Sequence, residues 1–188
     1  MKKTKWIHII YLALFIGCTN NTIDTKKIIK TENKMNQIKY RNTVVDGVSI
    51  AYREVGDVSK PTILLLHGYP SSSHQYRKVL NQLGDEFHLI APDYPGFGNS
   101  DFPSPEIYEY TFDHIAQTMQ SFIKLKGLDS YAIMMQDYGA PIGFRIATAD
   151  PEKVTAIITQ NGNAYEEGIG EAWASIKDFW KNRNKSTE

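Results

Sequence analysis

Residues 131–145 read YAIMMQDYGAPIGFR, and this stretch decides how the rest of the chain is arranged. A short apolar run, Ala132-Ile133-Met134-Met135, stops at Gln136-Asp137-Tyr138-Gly139. It resumes as Ala140-Pro141-Ile142-Gly143-Phe144-Arg145-Ile146-Ala147, with small and apolar residues at helical spacing. The pattern predicts strand, sharp turn, helix. A carboxylate, Asp137, falls at the tip of the turn, directly after the strand. An Asp there would also suit a helix cap. Gly139 and Gly143, however, leave room for a tight turn and close helix–strand packing. The turn has the shape of G-x-S-x-G with Asp in place of Ser and Met135 where the first Gly would stand, and Asp137 is read as a nucleophile.

Working outward, strands and helices alternate. Residues 62–66, TILLL, form a continuous apolar run bounded by Pro61 and His67-Gly68, as expected of a strand buried on both faces. Residues 87–91 and 154–160 are further short strands. Ser73 is a candidate cap for a helix over 74–83. Phe112, Ile115, Ala116, Met119, Phe122, Ile123 and Leu125 repeat at a helical period, with Gly127 as the stop. Two strand-like runs, 38–45 and 48–55, flank Asp46-Gly47, a strong hairpin signal. Trp173, Ile176, Phe179 and Trp180 mark an amphipathic helix over 171–180. Together these predict an α/β fold: a mostly parallel, doubly wound sheet with an N-terminal antiparallel hairpin and helices on both faces. Ligands bind such sheets at the carboxyl ends of strands. The loops at His67, Asp93, Asp137 and Asn161 all follow strands and are expected to share one edge.

A chain of 188 residues suits one domain with a sizeable core. The formal net charge is zero, which gives no electrostatic case for nucleic acid. A single cysteine excludes an internal disulfide framework, and no metal-ligand spacing is present, so neither metal nor cofactor is expected. The first residues differ in character. Met1-Lys2-Lys3-Thr4-Lys5 is basic, and 6–17 is almost wholly apolar apart from His8. That is the form of a signal peptide over 1–18, too short for a spanning helix. The run Leu14-Phe15-Ile16-Gly17-Cys18 resembles a bacterial lipoprotein signal with Cys18 as the lipidated residue, although Phe15 departs from its usual aliphatic residue. A plain signal peptide or an uncleaved anchor is the alternative. In each case the chain is expected to be exported, and a lipid anchor would hold it to the membrane on the periplasmic or cell-surface side. Residues 19–36, polar and rich in Asn, Thr and Lys, are expected to form a flexible stalk.

At His67-Gly68-Tyr69-Pro70 the side chain of His67 is read as structural, and the functional reading concerns the backbone. Gly68 permits close approach to a ligand. The N–H groups of Tyr69 and Tyr138 could then form an oxyanion hole beside Asp137. His67, Gly68, Pro70, Gln136 and Asn161 are the pocket candidates. The loop 93–100 is read as chiefly architectural. His74, His88 and His114 fall on helix or strand positions and are read as structural.

His67-Gly68-Tyr69-Pro70, Asp93-Tyr94-Pro95-Gly96-Phe97-Gly98-Asn99-Ser100 and Gln136-Asp137-Tyr138-Gly139-Ala140-Pro141-Ile142-Gly143 resemble the α/β-hydrolases of the epoxide hydrolase and haloalkane dehalogenase group. The resemblance covers about 38–180. It implies an α/β-hydrolase core over 37–164, present in part, and the start of a helical cap over 165–188. It implies that an elbow Asp attacks an sp³ carbon of a small apolar epoxide or haloalkane, forming an alkyl-enzyme ester. A His then activates water to hydrolyse that ester. Dehalogenases of this group usually carry Trp after the nucleophile and Asn or Glu third in the His-Gly motif; here those positions hold Tyr138 and Tyr69. The His-Gly-aromatic-Pro loop is closer to epoxide hydrolases, whose ring-opening tyrosines come from the cap; Tyr165 is the visible candidate, although an ordinary loop or packing tyrosine is the favoured reading of that residue. Gln136 resembles one dehalogenase subgroup. The epoxide hydrolase reading is preferred and the dehalogenase reading is the alternative. The resemblance also implies further cap, later strands, an acid and the essential His beyond Glu188. The chain is therefore expected to be a fragment or the product of a truncated gene. A binding lipoprotein without catalysis and an inactive truncation product are the competing expectations.

Overall fold

The computed structural model describes residues 37–182, all within the unit Met35–Glu188. The expected signal segment, the stalk and Cys18 lie outside the described residues. Six strands form one sheet: β1 (Lys39–Val45), β2 (Val48–Val55), β3 (Thr62–Leu66), β4 (His88–Pro92), β5 (Tyr131–Gln136) and β6 (Val154–Gln160). Their spatial order is β1-β2-β4-β3-β5-β6. The β1–β2 and β2–β4 pairs are antiparallel, whereas β4, β3, β5 and β6 run parallel to one another. The hairpin turn is made as its residues predict: Asp46 and Gly47 both take positive φ, 50° and 84°.

Among the described residues, four α-helices accompany the sheet: α1 (Arg77–Leu83), α2 (Phe112–Leu125), α3 (Gly139–Ala149) and α4 (Ala174–Lys181). Alternation along β3 divides its apolar run between two cores. Leu64 and Leu66 pack with Ile115, Met119 and Phe122 of α2 and with Ile142 and Ile146 of α3. Ile63 and Leu65 pack on the other face with Leu80 of α1 and with Leu89 and Ala91 of β4. A strand buried on both faces cannot alternate in polarity, hence its uniform sequence. Thr111 caps α2 by accepting from His114 N, and Gly127 follows its end at φ 65°.

Two local expectations are corrected. The segment expected as a helix over 74–83 begins as a 3-10 turn, Ser73–Tyr76, before α1, and its cap is Ser72, whose side chain accepts from His74 N. Ser73 is engaged elsewhere: it is buried, its N–H donates to Asp93 Oδ1 at 2.6 Å, and its hydroxyl accepts from Arg53 Nε at 3.0 Å. The amphipathic segment expected over 171–180 likewise splits into a 3-10 turn, Glu171–Trp173, and α4. Along β6, Ile157 and Ile158 are 45% and 47% exposed, so this edge strand is open on both faces among the described residues.

Candidate active site

The parallel strands β3, β4, β5 and β6 are followed directly by His67, Asp93, Asp137 and Asn161, and parallel pairing brings these ends to one edge of the sheet. At Asp137 the chain leaves β5 with φ 52°, a left-handed backbone that Asp and Asn tolerate better than most residues. Its carbonyl accepts from Ala140 N at 2.9 Å, and its N–H donates to Gln160 O at 3.2 Å. The turn is therefore held to β6 on one side and to α3 on the other. The side chain is not used as a helix cap. Its Oδ1 accepts from Tyr138 N at 2.6 Å and from Tyr69 N at 2.8 Å, while Oδ2 accepts nothing among the described residues. One carboxylate oxygen is thus pinned by two backbone donors and the other is free.

Two glycines permit this closure. A Cβ on Gly68 would lie 2.8 Å from Asp137 Cβ and 3.0 Å from Asp137 Oδ1, and would also collide with Gln136 Oε1. A Cβ on Gly139 would meet Leu66 C at 2.8 Å and His67 O at 2.9 Å. The elbow and the loop after β3 can approach only as bare backbone.

The peptide that bears the Tyr69 donor is aimed from its other edge. Gly68 O accepts from Ser71 N at 3.0 Å and lies 3.0 Å from His67 Nδ1. In a trans peptide the C=O and N–H point oppositely, so fixing the carbonyl directs Tyr69 N–H at Asp137. The Tyr69-Pro70 bond that follows is cis. His67 is fully buried and stacked on Tyr94, with ring centroids 4.1 Å apart. Burial pushes its imidazole below the usual histidine range, against the opposing influence of Gly68 O and of Asp93. A neutral ring donating through Nδ1 fits this bond, and Nε2 has no partner among the described residues.

Aromatic rings surround the elbow. Tyr138 lies 4.5 Å from Phe112, 5.6 Å from Phe97 and 6.1 Å from Tyr69 between centroids. Burial and the neighbouring Tyr69 raise the Tyr138 phenol above its ordinary pKa, so it stays protonated. Asp93, buried at the end of β4, is architectural as its sequence suggests. Its Oδ1 accepts from Ser73 N and its Oδ2 from Asn99 N, which folds the loop after β4 back on itself.

The structure therefore gathers Asp137, the Tyr69 and Tyr138 N–H groups, Gly68, Gln136 and His67. Pro70 is exposed just beyond Tyr69. Asn161 follows β6 at φ 48°, next to the Gln160 carbonyl that holds Asp137 N. Tyr165 stands apart: it is 76% exposed, and its carbonyl, not its phenol, is engaged, by Asn163 Nδ2 and Gly168 N. Sequence reasoning missed Phe97, Phe112 and Gln75. Phe112 was read only as a helix-core residue, because periodicity reports which face is apolar and not which strand end that face overhangs.

Among known proteins, the alpha/beta hydrolase fold family matches residues 61–183. The chain belongs to that family. This α/β-hydrolase is 45% identical to an uncharacterised hydrolase of Saccharomyces cerevisiae over 139 residues, 73% of this chain and 47% of that one. It is 38% identical to a haloalkane dehalogenase of Bradyrhizobium diazoefficiens over 121 residues, covering 64% of this chain and 38% of the relative. Among solved structures, a Vigna radiata epoxide hydrolase mutant superposes with a TM-score of 0.60 at 30% identity, over 65% of this chain and 38% of that one. The chain thus spans less than half the length of these relatives. The α/β-hydrolase sheet, with its antiparallel hairpin, is the fold expected above.

Proposed function

We propose that Asp137 is the nucleophile of an epoxide hydrolase-like reaction. The observation that carries this reading is the asymmetry of its carboxylate: Oδ1 is held by Tyr69 N and Tyr138 N, and Oδ2 is free. With one oxygen fixed, the other is the attacking atom. A lone pair on Oδ2 forms a bond to an sp³ carbon of the substrate as the carbon–oxygen bond of the epoxide breaks. The electron pair leaves on the epoxide oxygen, which takes up a proton. The same two N–H groups then face the carbonyl oxygen of the ester, where negative charge develops when water attacks. Phe97, Phe112, Tyr69 and Tyr138 give the site an apolar, aromatic surround suited to a small apolar electrophile.

The second reading, haloalkane cleavage, is favoured by the dehalogenase relative. In it the same Oδ2 attack releases halide. The indole donor usual after the nucleophile is absent here, which is why the epoxide reading is preferred. Hydrolysis of either ester needs a base to take a proton from water. None of His67, His74, His88 and His114 hydrogen-bonds Asp137 among the described residues. Export and lipid attachment at Cys18 belong to the same proposal and are tested by the mass of the mature N-terminus.

The deciding experiment is intact mass after incubation with an epoxide and with a haloalkane. An epoxide adds its whole mass, and a haloalkane adds its alkyl group in place of one hydrogen as hydrogen halide is lost, so the increment reports the substrate class. Peptide mapping should locate it at Asp137, and Asp137→Asn should abolish it. No adduct with either class, alongside retained binding of the probe, would support a binding protein instead.

A further inference from the structure

The loops that carry the Tyr69 and Tyr138 donors are joined by a pair of side-chain amides. Gln75 Oε1 accepts from Gly68 N at 3.1 Å, and Gln75 Nε2 donates to Gln136 Oε1 at 3.3 Å. Gly68 immediately precedes Tyr69, and Gln136 immediately precedes Asp137. Gln75 lies half-buried in the 3-10 turn after β3 and touches both segments. Apart from the Tyr69–Asp137 bond itself, Gln75 makes the hydrogen bond between loop 67–76 and residues 136–138 among the described residues.

We propose that Gln75 is a positioning residue that sets the spacing between the two donors on Asp137 Oδ1. Its catalytic consequence rests on the nucleophile reading above, but its geometric content does not. The bonds to Gly68 O from Ser71 N and His67 orient the Tyr69 peptide within its own loop. They do not register that loop against the elbow. Beyond the β3–β5 pairing, a side-chain tie across the two segments needs a group that accepts from one and donates to the other, and a glutamine head carries both functions in a fixed geometry. Gly68 N can only donate, so Oε1 must face it and Nε2 must face Gln136. The collision awaiting any Cβ on Gly68 with Gln136 Oε1 shows how closely the amide pair draws the segments together.

The test uses the full chain labelled with ¹⁵N. In Gln75→Leu the Tyr69 amide proton should move upfield as its bond to Asp137 lengthens, while Tyr138, held from within the elbow, should keep its position. The saturating rate of ester formation should fall about tenfold to a hundredfold, with the half-saturating concentration unchanged. Gln75→Glu keeps an acceptor for Gly68 N and can receive Nε2 of Gln136 after an amide flip; it should restore both readouts. Gln136→Met removes the partner and leaves Gln75 on Gly68, and it serves if Gln75→Leu does not fold. A Tyr69 resonance unmoved in either variant overturns the inference, whether or not the wild type forms an ester. A wild type that forms no ester with either electrophile counts against the proposed function alone, and the resonance then decides the positioning role.

Discussion

Asp137 Oδ1 lies 2.8 Å from the backbone nitrogen of Tyr69, which precedes it by 68 positions, and 2.6 Å from that of its neighbour Tyr138. One atom therefore registers both the local turn and the parallel pairing of β3 with β5. The pairing runs from Thr62↔Tyr131 to Leu66↔Met135, and the two loops begin one residue beyond it. A shift of the pair by one residue would part the donor from its acceptor.

Replacing Asp137 should separate chemistry from folding. At φ 52° an asparagine is tolerated and can still accept from both N–H groups. Asp137→Asn is expected to lose ester formation with little change in the urea midpoint. Asp137→Ala should lose both the reaction and about 1–2 kcal/mol, the order of cost for a left-handed backbone on an ordinary L-residue. Urea unfolding alongside intact mass checks the pair.

Gly68 and Gly47 make a contrasting pair. Gly68→Ala places a methyl 2.8 Å from Asp137 Cβ, so the loop must retreat, and ester formation should fall about a hundredfold. Gly47, at φ 84°, has open space around it. Gly47→Ala should cost about 1–2 kcal/mol of stability and leave the rate of ester formation unchanged. Equal rate losses in the two variants would contradict a local role for Gly68.

Asp93 should behave as structure. Asp93→Ala strands the N–H groups of Ser73 and Asn99, and a destabilisation of about 2–4 kcal/mol is expected. Asp93→Asn keeps one acceptor oxygen and should cost less. Denaturant titration distinguishes them.

Acid should weaken the fold through His67. Its folded pKa is lowered by burial below the ordinary 6.5. Between the two values the unfolded chain binds a proton that the folded chain refuses, so stability falls as pH drops through 6.5 and is fully present above it. Glu54 acts in the same sense nearer its ordinary 4.5. Burial there favours the protonated form, but the hydrogen bond from His88 and the charges of Lys126, His88 and Arg41 outweigh it. The loss of unfolding free energy between pH 7.5 and 5.5 should be smaller in His67→Gln than in the wild type.

The sheet was legible because β3 and β5 are short apolar runs ending in polar turns, and the hairpin because Asp46-Gly47 supplies two positive-φ positions. The meeting of Tyr69 and Tyr138 N–H was legible for a related reason: both follow parallel strands, whose ends must converge. Ser72 and Ser73 were not distinguishable in sequence, since either hydroxyl can cap. Burial beside Arg53 and Asp93 chose between them. Gln75 was illegible because a glutamine in a helical turn is ordinarily solvated, and only the tertiary approach of Gln136 gives it a second partner. Tyr165 could be read either as a ring-opening candidate or as a loop tyrosine, because residue type alone does not say where a ring points; the residue is 76% exposed.

The position of β3 between β4 and β5 has a consequence for biogenesis. Leu64, Leu65 and Leu66 are made before either flanking strand exists. About 70 further residues must leave the ribosome before β5 is complete, on the order of 4–14 s at roughly 5–20 residues per second. Through that interval a strand buried along Ile63 to Leu66 lacks at least one of its two neighbours and remains a greasy segment, a natural handle for chaperones. The donor loop at Tyr69 is synthesised early but acquires its purpose only when Asp137 arrives.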